Sequence, residues 1–261
     1  DVMNIFADTE NFSASPNGEH IGAVFGPTLM EFDGEEHRKL RGVVAPEFVG
    51  MKLQSLLPIV QRNAMALIQK FTTKQASLIA EKAALKGEID IVDDFATRLP
   101  LNVILDVLDL PQEAHEMFHS WYPAMMNGIS GGPNLRIAGQ KANAEYHNYL
   151  DPLIKERSLN PGDDLLSRLS VTEVDGKRMT PAEIKSFASL ILVAGAETTD
   201  KAIANLWYQL LAHPDQWKAV QGDPELLDRA FTEMMRIHGP AGAQTRKTIK
   251  DVNLHGVTIP A

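Results

Sequence analysis

Apolar residues recur at helical spacing along most of this chain, and alternating stretches are short and few. Asp33, with Glu36 three residues on, has the form of a helix N-terminus and predicts a helix to about Val44, ended by Ala45-Pro46. A second helix is expected over 51–73, with a break or bend at Pro58. Residues 87–93 alternate and predict a short strand. Helical spacing returns over 100–108, and Pro111 opens the next segment. There Ala114, Met117, Phe118, Trp121, Tyr122 and Met125 fall at i, i+3, i+4, i+7, i+8 and i+11, one apolar helical stripe. Residues 128–134 read as a flexible connector and 135–157 as a further helix. A loop at Asn160-Pro161-Gly162 and a turn at Asp175-Gly176 bracket a short helix.

Thr180-Pro181-Ala182-Glu183 combines a Thr N-cap, Pro at N1 and Glu at N3, the signature of a reciprocal cap. Nothing stops the helix it opens until His213-Pro214, so it spans about 30 residues, or about 45 Å. Its middle, Leu190 to Ala196, is apolar on every side, which predicts a helix running through the core. Asp223-Pro224-Glu225 opens another helix, ended by Gly239-Pro240, and 245–259 reads as strands with a turn near His255-Gly256. The fold class expected is mainly α with a small β component, in a single domain over residues 1–261.

The 261 residues are 44% hydrophobic and 23% charged, which excludes a disordered or collagenous chain. The net charge of −9 offers no cationic excess for phosphates, so no nucleic-acid or anionic-membrane partner is expected. With no cysteine, these residues supply no disulfide, thiol nucleophile or thiolate ligand. The longest uncharged apolar stretch, 190–196, is far short of the ~20 residues that cross a bilayer. No signal peptide is read at the start, and both ends have the look of a piece cut from something longer.

Two places carry candidate chemistry. Gly195 sits mid-helix, where it costs about 1 kcal/mol relative to Ala, and is followed by Glu197 and Thr198. One reading is a bare α-carbon that lets a flat ligand approach; the other is a glycine at a helix crossing. The Thr198 hydroxyl can turn back to the Ala194 carbonyl and open a polar notch, with Glu197 beside it to pass protons. The second place is His115-Glu116-Met117-Phe118-His119, formally a helical zinc motif with Glu116 as general base. Pro123 is expected to disturb that helix, Tyr122 stands where the longer zinc signature has Gly, and the two histidines and Glu116 read as solvated side chains.

Ala194-Gly195-Ala196-Glu197-Thr198 resembles the central-helix motif of the cytochromes P450, which crosses one face of a heme. Four further segments match in order. His37-x-x-x-Arg41 resembles a segment of the soluble bacterial members, Glu233-Met234-Met235-Arg236 the family's Glu-x-x-Arg helix, and Arg246 to Val252 with Gly256 to Ala261 the strand region after it; Asp8 to Ser13 also fits. The resemblance implies a P450 fold incomplete at both ends and a heme-thiolate monooxygenase acting on a small, predominantly apolar organic molecule. It implies O2 as co-substrate, a ferredoxin- or flavodoxin-type electron donor and a cytoplasmic location.

It further implies that Ala194, Gly195 and Thr198 face heme, that His37, Arg41 and Arg246 hold its propionates, and that Glu197 and Thr198 deliver protons to O2. Glu233 and Arg236 become a structural ion pair. Trp121, Tyr122, Met125, Met126, Leu190, Ala243 and Gln244 are the substrate-pocket candidates. The thiolate Cys is expected beyond Ala261, so the chain alone is expected to be inactive and to bind heme weakly or abnormally. A non-catalytic P450-derived helical module is the alternative that the missing cysteine leaves open.

Overall fold

Helices dominate the computed structural model of the chain, which describes residues 1–80 and 89–261. The first elements are α1 (Val2–Ala7), strand β1 (Phe12–Ser13), a π-helical turn Gly18–Gly22 that runs into α2 (Ala23–Phe25), and α3 (Gly34–Val44). Then come α4 (Gly50–Ser55), α5 (Leu57–Ala80) and a π-helical turn Val92–Ala96, followed by α6 (Arg98–Val107), α7 (His115–Ser130) and α8 (Pro133–Leu159). Next are α9 (Leu165–Val171), β2 (Glu173–Val174), β3 (Lys177–Arg178) and α10 (Pro181–Ala212). The last are α11 (Pro214–Gly222), α12 (Leu226–His238), β4 (Lys247–Thr248), β5 (Val252–Leu254) and β6 (Val257–Ile259). The strands form three antiparallel pairs, β1 with β4, β2 with β3 and β5 with β6.

Caps and breaks follow local chemistry. The Thr180 amide and hydroxyl both donate to Glu183 Oε2 at 2.7 Å, and the Glu183 amide donates back to Thr180 Oγ1 at 3.3 Å, which completes the reciprocal cap of α10. Asp33 does not cap α3. Its carboxylate instead accepts from the Ser13 hydroxyl at 2.7 Å and the Ala14 amide at 3.0 Å, tying the end of β1 to the start of α3. The helix expected over 51–73 is broken at Leu56, and Pro58 becomes the second residue of α5, where a missing N–H is tolerated.

The strand expected over 87–93 lies partly outside the described residues; where it is described, Val92 and Asp93 enter a π-helical turn. Asp90 Oδ1 accepts from the Val92 and Asp93 amides at 2.9 and 3.1 Å, and this local turn competes with strand geometry. The connector expected over 128–134 shrinks to Gly131 and Gly132, because α7 continues through Ser130 and α8 begins at Pro133. Nor does Pro123 interrupt α7.

The chain divides into two compact units, residues 1–54, 107–193 and 244–261 in the first, and 55–106 and 194–243 in the second. The first is organised on the antiparallel pair α7–α8. Gly128 on α7 and Gly139 on α8 meet so closely that a Cβ on Gly128 would lie 3.0 Å from the Gly139 α-carbon. That glycine contact lets the Phe118, Trp121 and Tyr146 rings pack edge-on, at 5.2 Å between Phe118 and Trp121 and 5.5 Å between Phe118 and Tyr146. Leu150, Ile154, Leu165, Leu166 and Leu169 continue this core. Met117, expected on the buried stripe, is exposed.

In the second unit Leu101, Ile104 and Leu105 of α6 are buried. Asp106 accepts from Asn63 Nδ2 at 2.6 Å and from the Arg62 guanidinium at 2.8 Å, joining α5 to α6. Trp207 and Trp217, with ring centroids 5.4 Å apart, hold α11 to the end of α10.

Candidate functional site

Ser189 to Val193 are buried, so this stretch of α10 runs through the core as its composition predicts. The burial ends on one face. Ala194 and Thr198, four residues apart and therefore on one side of the helix, are exposed, while Ala196 stays buried. The Thr198 hydroxyl donates to the Ala194 carbonyl at 3.0 Å, the back-bond expected from the sequence. On its Cβ side, Gly195 is closely packed against α6. A Cβ there would stand 2.5 and 2.7 Å from Ile104 Cδ1 and Cγ1, so the space is taken by an α6 side chain. The Cβ direction of Gly195 is therefore filled, and the open surface is the Ala194–Thr198 face. Glu197 does not bond to Thr198; its carboxylate pairs with Lys201 one turn on.

His37 and Arg41 lie one turn apart on α3 and form no salt bridge among the described residues. Arg246 sits just before β4 with its guanidinium carbon 4.5 Å above the Phe6 ring and one N–H donated to the Thr245 carbonyl at 2.8 Å. Gln244, Arg246, Phe6, Phe12 and Leu254 are among the residues around a predominantly apolar pocket of about 620 Å³ in the first unit. Glu233 and Arg236 pair in bidentate fashion within α12 at 2.6 and 2.7 Å, exposed to solvent, and the guanidinium holds the Glu233 carboxyl below the usual carboxylate range.

Trp121, Tyr122 and Met125 are core residues of α7, and Trp121 Nε1 donates to Glu145 of α8 at 2.8 Å. Leu190 is likewise buried, Met126 is half-buried, and Ala243 and Gln244 are exposed. His115, expected in solvent, is buried, whereas Glu116 is exposed, because position 115 falls on the same face as Phe118 and Tyr122.

A polar cluster escaped the sequence reading. Within the first unit, His147 Nε2 lies 2.9 Å from Ser189 Oγ, Ser189 donates to Asn143 Oδ1 at 2.7 Å, and Asn143 Nδ2 donates to the Val24 carbonyl at 3.0 Å. Burial, with the Lys185 ammonium nearby, lowers the His147 imidazolium to about 4, against the opposing pull of Asp151. The signal was present as Asn143 and His147 at i, i+4 on α8 and as Ser186 and Ser189 in the otherwise apolar half of α10. A second buried group, Arg157, donates to the Asp109 carbonyl at 2.8 Å and pairs with Asp164 at 3.2 Å, clamping the end of α8 to the start of α9.

A family model described as Cytochrome P450 matches residues 2–261. Among curated proteins, the chain is 36% identical over 241 residues to Cytochrome P450 monooxygenase PikC of Streptomyces venezuelae, covering 92% of this chain and 54% of that protein. It is 32% identical over 267 residues to Erythromycin C-12 hydroxylase of Saccharopolyspora erythraea, covering 100% of this chain and 63% of that protein. The ligand-free structure of cytochrome P450 TbtJ1 superposes with a TM-score of 0.84 at 31% identity, covering 100% of this chain and 65% of that chain. The chain therefore spans between half and two-thirds of the length of these relatives. No single helix among the described residues is long and apolar enough to cross a membrane.

Proposed function

Since the chain belongs to the cytochrome P450 family, we propose that it supplies heme-holding residues to a monooxygenase. The reaction inserts one oxygen atom of O2 into a small, predominantly apolar organic molecule, with electrons from a ferredoxin- or flavodoxin-type donor. Hydroxylation is the reaction class we assign, in line with the printed name of one relative, Erythromycin C-12 hydroxylase.

The observation that carries this reading is the open Ala194–Thr198 face on a helix buried through Val193, with the Thr198 hydroxyl turned back to the Ala194 carbonyl. Family members bind heme, and the residues present fit part of that group. A small apolar residue and a hydroxyl on one helix face suit a flat macrocycle. His37 and Arg41, without salt bridges among the described residues, together with Arg246, suit two carboxylates, and arginine can grip one in bidentate fashion. The axial thiolate is the part that these 261 residues do not supply, since none is cysteine.

Ala194 and Thr198 would face the heme, which would supply the activation of O2. Thr198 then holds a proton on Oγ1 that its back-bond parks against the Ala194 carbonyl, and rotation of the hydroxyl outward presents that proton to the open face. Glu197, paired with Lys201 through Oε1, would refill Oγ1 with a proton that its other oxygen first takes up from solvent. Arg41 and Arg246 would serve by holding carboxylates and not by touching reacting atoms.

The test uses an enzyme assembled from this chain and the thiolate-bearing remainder of a relative. Thr198→Ala is expected to raise peroxide release per O2 consumed at the expense of product, with Thr198→Ser retaining coupling. Unchanged coupling in Thr198→Ala overturns the role given to Thr198.

A further inference from the structure

The end of α2 is held in an unusual way. The helix stops at Gly26, whose φ of +82° a residue with a side chain rarely adopts, and whose added Cβ would lie 2.9 Å from Ser186 Oγ. Stopping there orphans the last carbonyls of the helix, which need donors from elsewhere. Three consecutive carbonyls receive them from three side chains of α8 and α10. Gln140 Nε2 donates to Ala23 O at 2.8 Å, Asn143 Nδ2 to Val24 O at 3.0 Å, and Ser186 Oγ to Phe25 O at 3.0 Å. Among the described residues, the hydrogen bonds joining residues 17–32 to α8 and α10 all end on these three carbonyls.

The middle grip has a support of its own. An asparagine amide can face Val24 O with either its nitrogen or its oxygen, and only the nitrogen donates. Ser189 settles the choice by donating its hydroxyl to Asn143 Oδ1 at 2.7 Å. That hydroxyl is itself a free rotor unless its oxygen is occupied. With the Ser189 proton committed to Asn143, the 2.9 Å contact to His147 must be donated by Nε2–H. Orientation thus passes from His147 to Ser189, from Ser189 to Asn143, and from Asn143 to the Val24 carbonyl. Ser189 and Asn143 are buried, at 0% and 5% exposure, so water does not substitute for a missing member.

We infer that Gln140, Asn143 and Ser186 form a latch on the end of α2, with His147 and Ser189 as positioning residues that set the grip of Asn143. Releasing the latch frees residues 17–32 from α8 and α10 without unfolding the unit. The flank of this 17–32 strap is hydrogen-bonded within itself, and Val24 also faces Gly128 of α7, where an added Cβ would lie 3.4 Å from Val24 Cγ2. Asn17 Nδ2 donates to Met30 O at 2.7 Å, and the Glu31 carboxylate lies against the bare α-carbons of Gly18 and Gly22. These contacts travel with the strap when it moves. Val24 and Phe25, buried at 4% and 1% exposure, are the apolar plug that the latch keeps seated.

The absence of cysteine makes the test clean, because Val24→Cys introduces a single thiol at a buried position of the strap. In the 261-residue chain carrying it, the native-state alkylation rate by iodoacetamide reports strap opening. Asn143→Ala and Ser189→Ala are each expected to raise that rate about tenfold, as expected for a lost buried hydrogen bond. His147→Phe, which cannot donate to Ser189, is expected to match them, whereas His147→Gln, whose amide can donate, stays near the parent rate. Urea unfolding, measured in parallel, separates strap opening from a global loss. Unchanged rates in Asn143→Ala and Ser189→Ala overturn the latch. So does acceleration by His147→Gln equal to that of His147→Phe, or acceleration no greater than the loss of global stability accounts for. If the buried Ser189→Ala chain fails to fold, the His147 pair, on a half-buried ring, decides the matter alone.

Discussion

Gly195→Ala should destabilise this chain even though alanine is the better helix former, and the effect should reverse sign when Ile104 is shortened. In mid-helix the substitution by itself gains about 1 kcal/mol. Against that, the new methyl would meet Ile104 Cδ1 at 2.5 Å and Cγ1 at 2.7 Å, and Ile104 is 7% exposed in the α6 core, so it has little room to yield. Overpacking of this kind costs about 1–3 kcal/mol, which leaves a net loss on the order of 1 kcal/mol. Ile104→Ala removes both clashing atoms and costs about 2–5 kcal/mol for the cavity. In that background Gly195→Ala has nothing to strike and partly fills the space, so it should stabilise by about 1 kcal/mol. The four chains of the cycle are compared by urea unfolding followed by far-UV circular dichroism, with midpoints converted at a common slope. A Gly195→Ala that stabilises equally in both backgrounds would refute the packing account of this glycine.

Two further outcomes rest on the packing of α7 and α8 and on the half-buried imidazole of His147. Gly128→Ala should cost more than Gly195→Ala, because its methyl would lie 3.0 Å from the Gly139 α-carbon, which is backbone and cannot rotate away; a chain with an unchanged thermal midpoint would show that α7 and α8 are not in contact there. The His147 imidazolium, brought from 6.5 to about 4 first by burial and then by Lys185, makes the folded chain bind fewer protons than the unfolded one between those values. Stability is then complete above pH 6.5 and declines as pH falls toward 4. The displacement, discounted for the solvent reaching this half-buried ring, would be worth about 1–2 kcal/mol. Urea midpoints of the parent chain should therefore fall more steeply from pH 7 to 4 than those of His147→Gln, and parallel curves would contradict the assignment.

What could be read from the residues was mostly what local chemistry decides. The reciprocal cap at Thr180 and Glu183, the length of α10 and the Thr198 back-bond depend on local sequence, and each is found where the spacing placed it. Errors arose where a distant partner competes. Asp33 looks like a cap, yet Ser13 and Ala14, some twenty positions away, take its carboxylate. Gly128 reads as a loop residue because glycine favours loops, but it serves the close approach of α8. Gly195 offered two explanations that sequence alone could not separate, since Ile104 is ninety-one positions upstream. The latch on α2 was invisible for the same reason. Its donors sit at ordinary polar positions of α8 and α10, and only the fold brings them to three adjacent carbonyls.

The most direct test of the account is a hemin titration of the chain and of Ala194→Phe, followed by absorbance, with a carbon-monoxide difference spectrum of the reduced complex. Ala194 is exposed, so the larger side chain blocks the face without disturbing the core. The account predicts weak but saturable binding by the parent chain, no red-shifted thiolate band, and affinity reduced by about tenfold or more in Ala194→Phe for the loss of a flat contact face. Equal binding by the two chains, no saturable binding by the parent, or a thiolate band from residues that include no cysteine would contradict it.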